Sequence, residues 1–192
     1  NITSCNYSTI GGGRCNISSG NTSTIGGGSC NRTFGNNTTI GGGHCNTVSD
    51  NCSTIGGGYF NCITSTGHNT IGGGFQNCIV STTAPYSTIG GGHNNCIVNG
   101  GYHIIAGGYR NVISSNTESF IGSGGANTVS GGYSVVAGGQ SNSASGVCSA
   151  VLGGRGNIAS GAHSVVSGGF SNTASGTRSA IVGGGSNTAS GT

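Results

Sequence analysis

Ile or Val, closely followed by glycine, returns about every fifteen residues along this chain, and the polar positions between keep the same phase. Counted from the residue that opens each unit, the units begin at Ser8, Ser23, Thr38, Ser53, Asn69, Ser87, His103, Ser119, Ser134, Ser149, Ser164 and Ser179. The third position is always aliphatic and β-branched: Ile10, Ile25, Ile40, Ile55, Ile71, Ile89, Ile105, Ile121, Val136, Val151, Val166 and Ile181. Such a column is a core. The eleventh position forms a second column, polar in Ser18 and Thr33, aliphatic from Val48 to Val129, then Ala144, Ala159, Ala174 and Ala189. The ninth position is Asn in every unit, from Asn16, Asn31 and Asn46 to Asn187, which reads as an amide ladder at a turn.

No apolar face recurs at the 3.6-residue period of a helix, and the glycines would cost each helical turn about 1 kcal/mol relative to alanine. The pattern predicts an all-β fold, a parallel β-solenoid of about twelve rungs with two short strands per rung facing each other across a thin interior. Like residues then stack about 4.8 Å apart, giving a rod of roughly 55 to 60 Å. Most units span fifteen residues; those opening at Ser53, Ser87 and His103 carry one extra and the one at Asn69 three, placed in turns. Residues 1–192 read as one repetitive domain in two zones, Cys-rich STIGGG rungs over 1–118 and SVVxGG/NxASG rungs over 119–192.

Composition narrows the class. With 44 Gly, one Pro, no Met, no Trp and 4% charged residues, the chain is unlike an ordinary globular enzyme. Disorder is excluded by the phased β-branched residues. No apolar run reaches the roughly 18 residues of a membrane span, and no secretory signal stands at Asn1. The expectation is a soluble mature product or excerpt without membrane insertion. A net charge of +3 over five arginines gives no basic stripe for nucleic acid.

One rung cannot bury enough to fold alone, so rungs depend on their neighbours. The sequence starts inside a rung and stops inside another, and the bare parallel edges predict end-to-end stacking. Sideways contact is predicted from the last four rungs, where positions two and four carry Val135, Ala137, Ala150, Leu152, Val165, Ala180 and Val182. Alternation turns these outward, and an outward apolar stripe marks a partner, here another copy of the chain. Earlier rungs place Thr9, Thr24, Thr39, Thr54, Thr70 and Thr88 at position two, with glycine at position four expected to admit a neighbouring backbone.

Units such as SVVAGGQSNSASG, SAVLGGRGNIASG and SVVSGGFSNTASG, within Ser119 to Thr192, resemble the head repeats of YadA-type trimeric autotransporter adhesins. The resemblance implies a left-handed β-roll, three chains wide, that binds host or environmental surfaces. The chain departs from that pattern in its many cysteines and turn insertions, and no coiled-coil stalk or anchor follows. The phrase NTVSGG at Asn127 is similar to the repeats of a grass antifreeze roll, which raises ice binding by the threonine row.

Nine cysteines bear on cross-linking. Cys15, Cys30 and Cys45 occupy position eight, and Cys62, Cys78 and Cys96 position ten. Rung spacing falls within the roughly 4.4 to 6.8 Å Cα window for disulfides, and the economical pairing is Cys15 with Cys30, Cys45 with Cys62, and Cys78 with Cys96, other pairings being open. Cys5, Cys52 and Cys148 lie at turns; the odd total leaves a thiol free or bonded to another chain. Disulfides favour an extracellular setting, at a cell or virion surface. N-x-S/T sequons at Asn6, Asn21, Asn36 and Asn51, with Asn37 beside them, mark one turn column for N-linked glycans. Those at Asn1, Asn16 and Asn31 fall in the amide ladder, where a sugar would break the stack.

Catalytic constellations are not apparent. Asp50 and Glu118 are more than four rungs apart, roughly 20 Å along a rod. His44, His68, His93, His103 and His163 scatter over several columns, and His44-Cys45 alone supplies too few ligands for a zinc site. The glycine triplets are not followed by Lys-Ser or Lys-Thr and are not phosphate loops. The reading is therefore a non-enzymatic structural subunit of an extracellular fibre, without cofactor or metal, that associates with itself. The alternatives are an adhesin head and an ice-binding roll.

Overall fold

The computed structural model describes residues 1–80 and 85–191. It is all-β, and among the described residues there is no helix. Among the described residues, strands of two or three residues alternate between two parallel sheets, one of thirteen strands and one of twelve, each internal strand pairing with its equivalents one rung before and after. The register is that of the sequence columns: Ile25 pairs with Ile40, Ile40 with Ile55, and Val48 with Ile63. Isolated parallel bridges through Arg14, Ser29, His44, Tyr59 and their successors form a third ladder. The chain is thus a β-solenoid of about twelve turns.

The third and eleventh columns meet in the interior. Ile25 to Val166 in the one and Val48 to Ala174 in the other form a single continuous core, with no exposure along its length. Where the second column is polar, the hydroxyls satisfy one another: Ser18 and Ser23 lie 2.6 Å apart, and the Thr33 hydroxyl donates to Ser18 at 3.1 Å. This keeps buried polar groups hydrogen-bonded where aliphatic contact is missing.

The amide ladder is a complete hydrogen-bonding unit. Asn31 donates its backbone N–H to the Asn16 side-chain oxygen at 2.9 Å, and its own Nδ2 donates to the carbonyls of Gly27 at 3.0 Å and Gly43 at 2.9 Å. The same triplet of bonds recurs at Asn46, Asn61 and on to Asn172. One residue type thereby ties three successive rungs together.

Glycine is required at only part of each corner. The third glycine of the triplet is left-handed, φ 87° at Gly28 and 90° at Gly43. A Cβ on Gly28 would collide with the Gly43 carbonyl and crowd the Asn31 amide. Two other corners are left-handed mostly without glycine: position eight, as in Cys15, Phe60 and Arg110, and the residue before most units, as in Thr22, Tyr86 and Cys148. Ladder bonds hold them there; the Cys30 N–H, for example, donates to the Arg14 carbonyl at 2.9 Å.

Candidate interaction surface

With the third position facing inward, positions two and four of the twelve-stranded sheet face outward. Position two is a register-exact column, Thr24 on Thr39, Thr54 on Thr70 and Thr70 on Thr88, before Thr88 pairs with Ile104 and the column turns apolar. From there it runs Ile104, Phe120, Val135, Ala150, Val165 and Ala180. Val135, Ala150 and Val165 are half-buried, and Ala137 and Ala180 exposed. Leu152 and Val182 are 52% and 86% exposed. One sheet face therefore carries a threonine half and an apolar half. At their junction Tyr102, Ile104, Phe120, Tyr133 and Val135 line a shallow hollow of about 310 Å³, with Glu118 at its rim.

The early position-four glycines serve the stack itself. A Cβ on Gly41 would run into the Gly56 carbonyl of the next rung. Position four nevertheless carries Ala106, Ala137, Leu152 and Val182 in later rungs, so the requirement is confined to the glycine rungs.

A column invisible to the core pattern runs along the third ladder. His44 stacks on Tyr59 at 4.8 Å between ring centroids, Tyr59 on Phe75 at 5.3 Å, and Phe75 meets His93 edge-on at 4.9 Å. Further along, the Arg155 guanidinium lies 5.9 Å from the Phe170 ring centre. A second stack, His68, Tyr86 and Tyr102, follows the left-handed corner. The face-to-face pairs stack along the rod and brace its corners. The sequence signal was available, since position seven is aromatic in five consecutive rungs from His44 to Tyr109.

The cysteines divide by column. Cys78 and Cys96 form a disulfide with their Cα atoms 4.8 Å apart. Cys15, Cys30, Cys45 and Cys62 are thiols, as are Cys5, Cys52 and Cys148. The pairing of Cys45 with Cys62 is corrected by the register, which sets Cys62 against Thr47. Cys45 belongs to the position-eight corner, with Cys30 one rung away. Cys15 and Cys30 do stack, but as thiols and not as the expected disulfide. The Ser29 hydroxyl beside Cys30 lowers its pKa, helped by the flanking thiols and Arg14, whereas burial and the neighbouring Cys30 raise that of Cys45.

Asparagines at the sequons fall into two kinds. Asn6, Asn21, Asn36, Asn37 and Asn51 are exposed. Asn36 and Asn51 accept the backbone N–H of Asn21 and Asn36 through Oδ1 at 2.9 and 2.8 Å, which leaves their Nδ2 atoms outside the ladder. Asn16 and Asn31 are fully buried, with Nδ2 donating to two carbonyls each.

The titratable groups do not converge. Asp50 is buried at a corner, its Oδ2 accepting from Ser53 at 2.9 Å and Asn69 at 3.0 Å. His103 is fully buried in the position-one column, and burial lowers its pKa against the opposing pull of the Asn99 and Ser115 backbone. Among the described residues no three His, Cys, Asp or Glu side chains are grouped to hold a metal ion. No protein-family model matches the chain, and no curated protein is significantly similar to it.

Proposed function

We propose that the chain is a structural, self-associating rod, a subunit of an extracellular fibre or filament. The observation that carries this reading is the apolar half of the outward sheet face. Six successive strands place aliphatic or aromatic side chains outward in register, from Ile104 to Ala180, and Leu152 and Val182 stand beside them. On a monomeric rod such a stripe would leave a long apolar strip in water, and covering it with the same face of another copy removes that cost. Backbone ladders along the axis supply the stiffness, and a disulfide ties two rungs covalently.

Electron microscopy of the purified chain tests this. The fibre reading expects rods laid side by side with constant spacing; isolated single rods at every concentration would refute it. An adhesin head of the YadA type would instead give discrete three-chain particles, in keeping with the likeness of residues 119–192 to those repeats. Ice binding is the second alternative, supported by the threonine column, exposed from Thr9 to Thr70 and half-buried at Thr88. That column is single and flanked by glycine, which favours the fibre reading. Exposed sequons and the Cys78–Cys96 disulfide support a surface location with N-linked glycans.

A further inference from the structure

We propose that Cys62, Cys78 and Cys96 form a thiol–disulfide exchange site in which one disulfide moves between two adjacent rung interfaces. The strands Cys62–Thr64, Cys78–Val80 and Cys96–Ile97 are consecutive neighbours, with Cys62 in register on Cys78 and Cys78 in register on Cys96. Thr47 precedes the column and Val112 follows it, so it holds three sulfurs and no more. Three sulfurs make one bond and leave one thiol. In the structure that thiol is Cys62, half-buried beside the Cys78–Cys96 bond.

The column supplies the approach that the reaction needs. Equivalent strand positions point the same way from successive rungs. Cys62 therefore stands on the side of Cys78 opposite Cys96, the side from which a thiolate displaces the Cys96 sulfur. The Cys62 thiol gives its proton to solvent, and its thiolate attacks Sγ of Cys78. The Cys62–Cys78 bond forms as the Cys78–Cys96 bond breaks, and the electron pair leaves on Cys96, which takes up a proton. No oxidant or reductant is consumed. Cys62 and Cys96 are two rungs apart, roughly 10 Å, and cannot bond directly. Cys78 is thus the shared member in both states. Burial, with Asp50 nearby, raises the Cys62 thiol, so the exchange speeds up with pH. The inference rests on strand register and is independent of the fibre reading.

Non-reduced peptide mapping of the whole chain tests it, after incubation at about pH 8.5, acid quench and digestion under acid. Both Cys62–Cys78 and Cys78–Cys96 peptides are expected, within about tenfold of each other because the two interfaces have the same register. Cys62→Ser should retain only Cys78–Cys96. Cys96→Ser, refolded with oxidised glutathione, should give only Cys62–Cys78, and Cys78→Ser neither. Wild-type chain that yields Cys78–Cys96 alone at every pH overturns the proposal. So does a Cys96→Ser chain that folds, by its circular dichroism, and leaves Cys62 and Cys78 as thiols.

Discussion

The side-chain oxygen of Asn31 accepts the backbone N–H of Asn46, one rung on, at 3.0 Å. Asn46 in turn accepts from Asn61 at 2.9 Å and donates to the Gly42 and Gly58 carbonyls. Removing the Asn46 amide strands the buried Asn61 N–H and takes the side-chain donor from the Gly42 carbonyl, while the Gly58 carbonyl keeps the His44 N–H. Each orphaned buried group costs about 1 to 3 kcal/mol. Asn46→Ala should therefore destabilise by several kcal/mol, whereas Thr39→Ser on the exposed face should stay within about 0.5 kcal/mol. Urea denaturation followed by circular dichroism distinguishes the two.

Glycine's role is separable within one triplet. Gly43 has φ 90°, and a Cβ there would strike the Gly58 carbonyl and the Asn46 amide; a Cβ on Gly42 would meet nothing within 4 Å. Gly43→Ala should lower the melting temperature sharply or prevent folding, and Gly42→Ala should leave it nearly unchanged. Equal effects of the two substitutions would contradict this corner geometry.

These outcomes bear on what the sequence made legible. The columns through Ile25 and Val48 and the ladder through Asn31 were readable because each demands one residue class at one phase. The left-handed corner at position eight was not, since Cys15, Phe60, Gln76 and Arg110 share it and none favours positive φ. Ladder bonds override local preference there. Cys45 and Cys62 follow one another along the chain but stand in different columns, and only residues of the same column meet. The aromatic column from His44 to Tyr109 was legible and overlooked, its residues being outside the core phase.

His103 gives the rod a sensitivity to acid. Its folded pKa is lowered from 6.5 by burial, so it sits neutral in the stack. The unfolded chain binds the extra proton first as pH falls. Stability is therefore full above about pH 6.5 and declines below it, by at most about 1.4 kcal/mol per pH unit for one proton, until the folded pKa is passed. His103→Ser, the residue common in that column, should flatten the stability profile in this window. A profile unchanged by the substitution would show that His103 does not control it.

Glycan placement follows from amide use. In material secreted from a eukaryotic cell, sugar should be found at Asn36 and Asn51, whose Nδ2 atoms lie outside the ladder, and not at Asn16 or Asn31. Glycopeptide mass mapping checks this. Folded protein carrying sugar on Asn31 would be incompatible with the amide ladder.

Sedimentation velocity over a range of concentrations, on the native chain and on a Phe120→Glu, Leu152→Glu double variant, decides whether the rod works by lateral self-association. The native chain should shift to larger species as concentration rises, and the variant, unchanged in circular dichroism, should remain single rods. A native chain that sediments as a monomer throughout, or a variant that associates just as well, would contradict the proposal.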